Sequence, residues 1–122
     1  MVCVEADPAA CAAADANLAD LPQAEVWQGD IDAAGLTDLL GDLGRPDVVV
    51  LDPPRAGAGK DVSRVIAGAA PRAVVYVACD PASLARDVAA FGTAGYRLAA
   101  LRAFDCFPMT AHVECVALLV PA

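Results

Sequence analysis

Five polar residues of kinds that catalyse or bind lie at the ends of apolar runs in this sequence. Cys79 closes one such run, and a thiolate there could act as a nucleophile. Glu114 stands near the start of the last apolar run, where a carboxylate could act as a general base. Glu5, Asp30 and Asp52 follow three other runs and offer oxygens that accept hydrogen bonds. Whether the five act together depends on the elements that carry them.

The chain alternates short apolar runs with helical stretches, which predicts an α/β fold with a mostly parallel sheet and helices on both faces. We predict strands over residues 2–7, 24–30, 46–55, 72–79, 96–104 and 112–120, and helices over 8–20, 33–43, 60–70 and 81–91. The continuous apolar run 46–55 is typical of a strand buried on both faces. The last two strands have no room for a crossover helix between them, which predicts an antiparallel pair.

This topology predicts that the five polar residues face one crevice. In an open parallel sheet, ligands bind beyond the carboxyl ends of the strands. Glu5, Asp30, Asp52 and Cys79 each close a predicted parallel strand. An antiparallel last strand would begin at that same edge, near Glu114.

Each of these residues also has a simpler interpretation. A carboxylate after a strand commonly caps a helix or forms a turn. A cysteine at the end of a core strand is more often a small buried hydrophobic residue. The single histidine, His112, is by itself more typical of a structural residue.

Two local features favour reactivity at Cys79. It directly precedes a predicted helix, whose N-terminus lowers the pKa of a neighbouring thiol, although the adjacent Asp80 acts in the opposite direction. The sequence LDPPR at residues 51–55 closes another strand, and its two prolines stiffen the turn without supplying backbone donors. This turn is either only a rigid connection or a means of holding Asp52 over the crevice.

Length and composition limit the class of protein. The 122 residues are 58% hydrophobic, which is enough for one globular domain with a core. No apolar stretch approaches the ~20 residues of a membrane span, and the first residues do not resemble a signal peptide. Five cysteines without close pairing predict reduced thiols in a cytoplasmic protein and no metal site. The net charge of −8 predicts that the chain by itself repels nucleic acid.

Three segments together resemble, in order and spacing, the closing half of the RNA uracil-5-methyltransferases. They are LDPPRAG at residues 51–57, VYVACDPASLARD at 75–87 and FDCFPMTAHVE at 104–114. VEADPAACAAADANLA at residues 4–19 also resembles the family's segment after the second strand of the sheet. The resemblance covers nearly the whole chain. It implies a Rossmann-like class I methyltransferase sheet and an enzyme that uses S-adenosyl-L-methionine to make 5-methyluridine in tRNA or rRNA.

The resemblance also implies roles for the five residues. Cys79 would add to carbon 6 of a uracil turned out of its stack, so that carbon 5 can take a methyl group. Glu114 would then remove the proton from carbon 5. Glu5 corresponds to the acid that holds the cofactor ribose, and Asp30 lies where the adenine is usually met. Asp52 corresponds to the acid between cofactor and target base.

Two arginines match the same motifs. Arg55 is expected on the substrate side of the pocket, and Arg86 receives no specific role. The sequence departs from the family pattern at two positions beside the nucleophile: Ala78 stands where serine is common, and Asp80 where asparagine is common.

A larger departure is that the family's Gly-rich cofactor loop and the strand before it have no counterpart. The glycines of residues 55–60 follow a different strand. We therefore expect residues 1–122 to be the carboxyl-terminal portion of a methyltransferase catalytic domain, inactive alone and contacting RNA through regions outside this chain. The first strand normally lies at the centre of the sheet, so its loss predicts a gap beside the strand ending in Asp52 and exposed apolar edges.

Other functions remain open from the sequence. Methyltransferases acting on exocyclic amines also place two prolines after a strand-end acid, but an aromatic residue usually follows, where this chain has Arg55. Such an enzyme would leave Cys79 and Glu114 without a role. A non-catalytic or degenerate domain that binds a partner chain is the alternative outside enzymes. A thiol–disulfide function is disfavoured because no second cysteine stands near Cys79 in sequence.

Overall fold

The computed structural model describes residues 1–122 and contains six strands and four helices. The strands are β1 (Val2–Glu5), β2 (Glu25–Gln28), β3 (Val48–Leu51), β4 (Ala73–Ala78), β5 (Tyr96–Phe104) and β6 (Glu114–Pro121). The helices are α1 (Pro8–Asn17), α2 (Ala33–Leu43), α3 (Lys60–Gly68) and α4 (Pro81–Thr93). Every predicted element is present, and the differences lie at element ends.

The strands form two separate sheets. β1 pairs with β2 in parallel, and the other four strands have the order β3-β4-β6-β5. β3 and β4 are parallel, whereas β6 runs antiparallel to both β4 and β5. The α/β sheet with an antiparallel last strand is therefore confirmed.

The predicted gap lies between β1 and β3, which make no ladder with each other. β3 has β4 as its single neighbour, and its outward side chains Val48 and Val50 are 39% and 66% exposed. The prediction that residues 46–55 form a strand buried on both faces is wrong. The strand spans only Val48–Leu51, because Pro53 and Pro54 cannot extend the ladder, and no helix covers its outer side.

The core lies between the four-stranded sheet and helices α3 and α4. Val74, Tyr76 and Ala78 of β4 alternate with half-buried neighbours, and all three are buried on the helical side. β6 repeats the pattern with Cys115, Ala117 and Leu119. Helices α3 and α4 therefore cover one face of the four-stranded sheet.

Aspartates begin three of the helices. The carboxylates of Asp7, Asp32 and Asp80 accept backbone N–H bonds from the residue three positions later, at 2.8, 2.7 and 2.7 Å. Each bond satisfies a donor that a helix N-terminus would otherwise leave unpaired. Pro8 and Pro81 occupy the first helical positions of α1 and α4, where their missing N–H groups cost nothing.

None of the helices is long and apolar enough to cross a bilayer. The five cysteines are free thiols. No group of three or more histidine, cysteine, aspartate or glutamate residues is arranged to hold a metal ion.

Candidate active site

The ends of two neighbouring strands bring Cys79 and Glu114 together. The β4–β6 ladder ends at the pair Ala78 and Cys115. Cys79 directly follows Ala78 and Glu114 directly precedes Cys115, so continuing this register by one step brings the two residues to the same edge of the sheet. Both residues are half-buried, and Glu114 also pairs with Phe104 of β5. A thiol and a carboxylate thus share one edge of the sheet, as the topology predicts.

The turn from β4 into α4 places Cys79 at a helix N-terminus. Asp80 caps this helix by accepting the Ser83 backbone N–H at 2.7 Å, and the Ser83 hydroxyl donates to the Asp80 carbonyl at 3.1 Å. Hydrogen bonds from the backbone and side chain of Ser83 lower the pKa of Asp80. The Asp80 carboxylate is therefore held by the helix that follows Cys79, which it caps.

Asp52 follows β3 at the same edge. Leu51 pairs with Tyr76 in the parallel β3–β4 ladder, so Asp52 is level with Val77, two residues before Cys79. Asp52 is exposed, and its carboxylate makes no hydrogen bond within the chain. It is therefore free to accept a hydrogen bond from a ligand.

Arg55 and His112 connect the loop after β3 with the loop before β6. Nη2 of Arg55 lies 3.1 Å from Nδ1 and 3.3 Å from Nε2 of His112. The imidazole also meets the ring of Phe107 edge-on, with 6.4 Å between centroids. The contact joins the segments that carry Asp52 and Glu114. Sequence reasoning missed this role for His112, although its place two residues before Glu114 in the motif was a signal.

Glu5 and Asp30 lie at the carboxyl ends of β1 and β2, in the other sheet. Both are exposed. One oxygen of Glu5 accepts the Asp7 backbone N–H at 2.9 Å, and Asp30 lines a cleft of about 420 Å³ together with Trp27 and other residues of β2 and α2. The predicted residues therefore form two groups, one on each sheet, with the gap between the sheets.

The free carboxylate oxygens of this second group fit part of a nucleoside. Glu5 keeps one oxygen without a partner, and Asp30 has no hydrogen bond to its side chain. Carboxylates accept bonds from hydroxyl and amino groups, which a ribose and an adenine supply. The residues present are thus suited to the nucleoside end of S-adenosyl-L-methionine.

Comparison with known families gives a match to tRNA (Uracil-5-)-methyltransferase over residues 36–121, which is more than half of the chain. This region holds Asp52, Arg55, Cys79 and Glu114.

Curated relatives match over most of the chain but only part of their own length. An RNA methyltransferase of Streptomyces avermitilis, described as uncharacterized, is 48% identical over 87% of this chain and 24% of its own. A similarly described protein of Bifidobacterium longum is 48% identical over 97% of this chain and 27% of its own. The chain therefore spans about a quarter of the length of these relatives.

Solved structures match both sheets. The tRNA (uracil-54, C5)-methyltransferase of Pyrococcus abyssi, solved with S-adenosyl-L-homocysteine, has a TM-score of 0.76 and 30% identity over 98% of this chain and 28% of its own. A precorrin-6y C5,15-methyltransferase of Geobacter metallireducens has a TM-score of 0.71 at 14% identity, over 99% of this chain and 66% of its own, and shows the fold alone. With the edge that joins Cys79 and Glu114 lying inside the matched region, the chain belongs to the tRNA (uracil-5-)-methyltransferase family.

Proposed function

We propose that the protein containing this chain methylates carbon 5 of a uridine in tRNA or rRNA through a covalent cysteine adduct. The observation that carries the proposal is the pairing of strand ends that brings Cys79 and Glu114 to the same edge of the sheet, beside the unpartnered carboxylate of Asp52. A thiol and a carboxylate at one edge are the two groups that this chemistry requires. Methylation of an exocyclic amine would use neither of them.

The thiolate of Cys79 adds to carbon 6 of the uracil, and the electrons of the ring double bond move onto carbon 5 and its carbonyl. S-adenosyl-L-methionine, when bound, would supply an electrophilic methyl group, to which carbon 5 forms the new bond while S-adenosyl-L-homocysteine leaves. Glu114 then takes the proton from carbon 5, the double bond re-forms, and the bond between sulfur and carbon 6 breaks. The thiolate is regenerated, and the carboxylate leaves the cycle protonated until it loses its proton to water.

The remaining residues bind and orient. Asp52 offers its carboxylate between cofactor and target base, and Arg55, held against His112, lies on the substrate side. Glu5 accepts hydrogen bonds from the ribose hydroxyls of the cofactor, and Asp30 lies near its adenine. The free thiols support a cytoplasmic setting.

Residues 1–122 are, in this proposal, the carboxyl-terminal portion of the catalytic domain. The gap between β1 and β3, the exposed Val50 beside it and the short share of the relatives that is matched all support this assignment. RNA binding then belongs to other parts of the full-length protein, in agreement with the net charge of −8 on this chain. The same gap favours a chain that is inactive by itself.

The test is methylation of tRNA and rRNA transcripts by the full-length protein, followed by mass spectrometry of the digested nucleosides. We expect 5-methyluridine from the wild type and none from Cys79→Ala, whereas Cys106→Ala, which alters an exposed thiol in the loop between β5 and β6, keeps full activity. Methylation at an exocyclic amine, or normal turnover by Cys79→Ala, would contradict the proposal.

A further inference from the structure

Asp87 is a buried acid that takes no part in the steps above. It lies on α4, its side chain is fully buried, and both of its oxygens accept hydrogen bonds. Oδ2 accepts the Tyr76 hydroxyl at 2.6 Å and the Gly59 backbone N–H at 3.1 Å. Oδ1 accepts a hydrogen bond from Nε–H of Arg86 at 2.9 Å. A buried carboxylate lowers the stability of the fold unless hydrogen bonds compensate for its lost hydration, and these contacts provide that compensation.

The partners of Asp87 also hold the loop at residues 52–59. Nη2 of Arg86 donates to the Ala56 carbonyl at 2.6 Å, and the Ala58 backbone N–H donates to the Tyr76 hydroxyl at 2.9 Å. Together with the bond from Gly59, three successive parts of the loop are tied to β4 and α4. Two prolines near the start of the loop offer no donors, and a further backbone bond within the loop runs from the Gly57 N–H to the Pro54 carbonyl at 2.8 Å.

The loop approaches the acid so closely that only glycine fits at position 57. A Cβ atom there would lie 2.5 Å from Oδ2 of Asp87 and 2.6 Å from Nη2 of Arg86. Gly57 also has a φ of +79°, in the left-handed region that glycine favours. The loop therefore rests directly on the pair formed by Arg86 and Asp87.

We propose that Asp87 is a positioning residue of the active site, fixing the loop that carries Asp52 and Arg55 relative to Cys79. Tyr76 lies three residues before Cys79 on β4, and Asp87 lies on the helix that begins just after it. One carboxylate thus joins both sides of the nucleophile's turn to the loop. The inference rests on the proposed function, because it assigns Asp52 and Arg55 to the binding of target base and cofactor.

The protonation state suits this role. Burial pushes the pKa of Asp87 upward, but the hydrogen bonds from Tyr76, Gly59 and Arg86 outweigh it and leave the pKa lowered. The carboxylate therefore stays ionised at neutral pH and accepts at both oxygens. An amide in its place would turn an NH₂ group toward one of the present donors.

The test compares Asp87→Asn with the wild type in the full-length protein, measuring kcat, the KM for RNA and the thermal midpoint. We expect kcat to fall at least about tenfold, because small misplacements of binding groups are costly to catalysis. The KM for RNA should change by less than about threefold, because most RNA contacts lie outside this chain. Tyr76→Phe keeps the ring and removes its bonds to Asp87 and to the Ala58 N–H, while Asp87 keeps its bonds from Gly59 and Arg86, so kcat should fall in the same direction by less.

Asp61→Asn is the matched control. It makes the same change on the neighbouring α3, where Asp61 is exposed and bonded to Arg64, and kcat should stay within about twofold. Hydrogen exchange gives a second readout: in Asp87→Asn the amides of Ala58 and Gly59 should lose protection.

A normal kcat in Asp87→Asn would overturn the inference, even if the thermal midpoint falls, because Asp87 would then only stabilise the fold. If that variant does not fold, a normal kcat in Tyr76→Phe overturns it instead. A wild type that methylates no RNA would refute the proposed function, and the inference with it. An active wild type with an unaffected Asp87→Asn would refute the inference alone.

Discussion

Cys79 and Asp80 are neighbours in the turn between β4 and α4, and each has a different role there. Cys79 lies where the N-terminus of α4 attracts negative charge, and Asp80 directs its carboxylate to the Ser83 N–H of that helix. The sequence predicts Asp80 both as the N-cap of this helix and as a charge that acts against a thiolate at Cys79. The structure confirms the cap, with the Ser83 N–H as its donor.

Asp80→Ala should lower the thermal midpoint of the full-length protein, because it leaves a helix N–H unpaired, whereas Asp80→Asn should retain most of the stability. The pKa of Asp80 is lowered in the folded state, so its contribution is present above the unfolded value of about 3.9 and is lost as the pH falls through the folded value. The difference in midpoint between wild type and Asp80→Ala should therefore shrink below about pH 4. Thermal melts from pH 3 to pH 7 measure this, and a difference that grows at low pH would contradict it.

At the scale of elements, the helices were predictable because residues close in sequence determine where each helix begins. The capping aspartates and the prolines at first helical positions determine where α1 and α4 begin. Strand ends were less predictable: the predicted strand 46–55 extends beyond β3 into two prolines. The exposure of Val50 depends on which strand and helix lie beside it, and no local pattern encodes that.

In the candidate site, too, some features were predictable from the sequence and others were not. The topology placed Cys79 and Glu114 at one edge, and the β4–β6 register agrees. The contacts of Asp87 were missed because they join residues far apart in sequence, although Asp87 lies between Leu84 and Phe91 on the buried side of α4, where an acid is unusual. Helical periodicity would have indicated that Asp87 lies on the buried side of the helix, but it would not have identified its hydrogen-bond partners.

The whole molecule contains two sheets that make no ladder with each other. β3 has no partner strand on one edge and its Val50 is exposed, and Glu5 and Asp30 belong to the other sheet from Asp52. If residues of both sheets bind the cofactor, its affinity depends on the part of the protein that connects the two sheets.

The 122-residue chain alone should therefore bind S-adenosyl-L-homocysteine weakly or not at all, whereas the full-length protein binds it. Isothermal calorimetry on both proteins measures this, with circular dichroism to confirm that the short chain is folded. Binding by the folded short chain at micromolar or lower concentration would show that the gap is not part of the cofactor site.

In the proposed mechanism, Cys79 forms a covalent bond to the target uridine and Glu114 enables its release. The most direct measurement incubates full-length Glu114→Gln with substrate RNA and S-adenosyl-L-methionine, and then maps any covalent RNA–protein adduct by protease digestion and mass spectrometry. We expect a methylated uridine attached to Cys79, because elimination needs the base, and no adduct when Cys79→Ala is added. The absence of any adduct, or its attachment to another cysteine, would contradict the account.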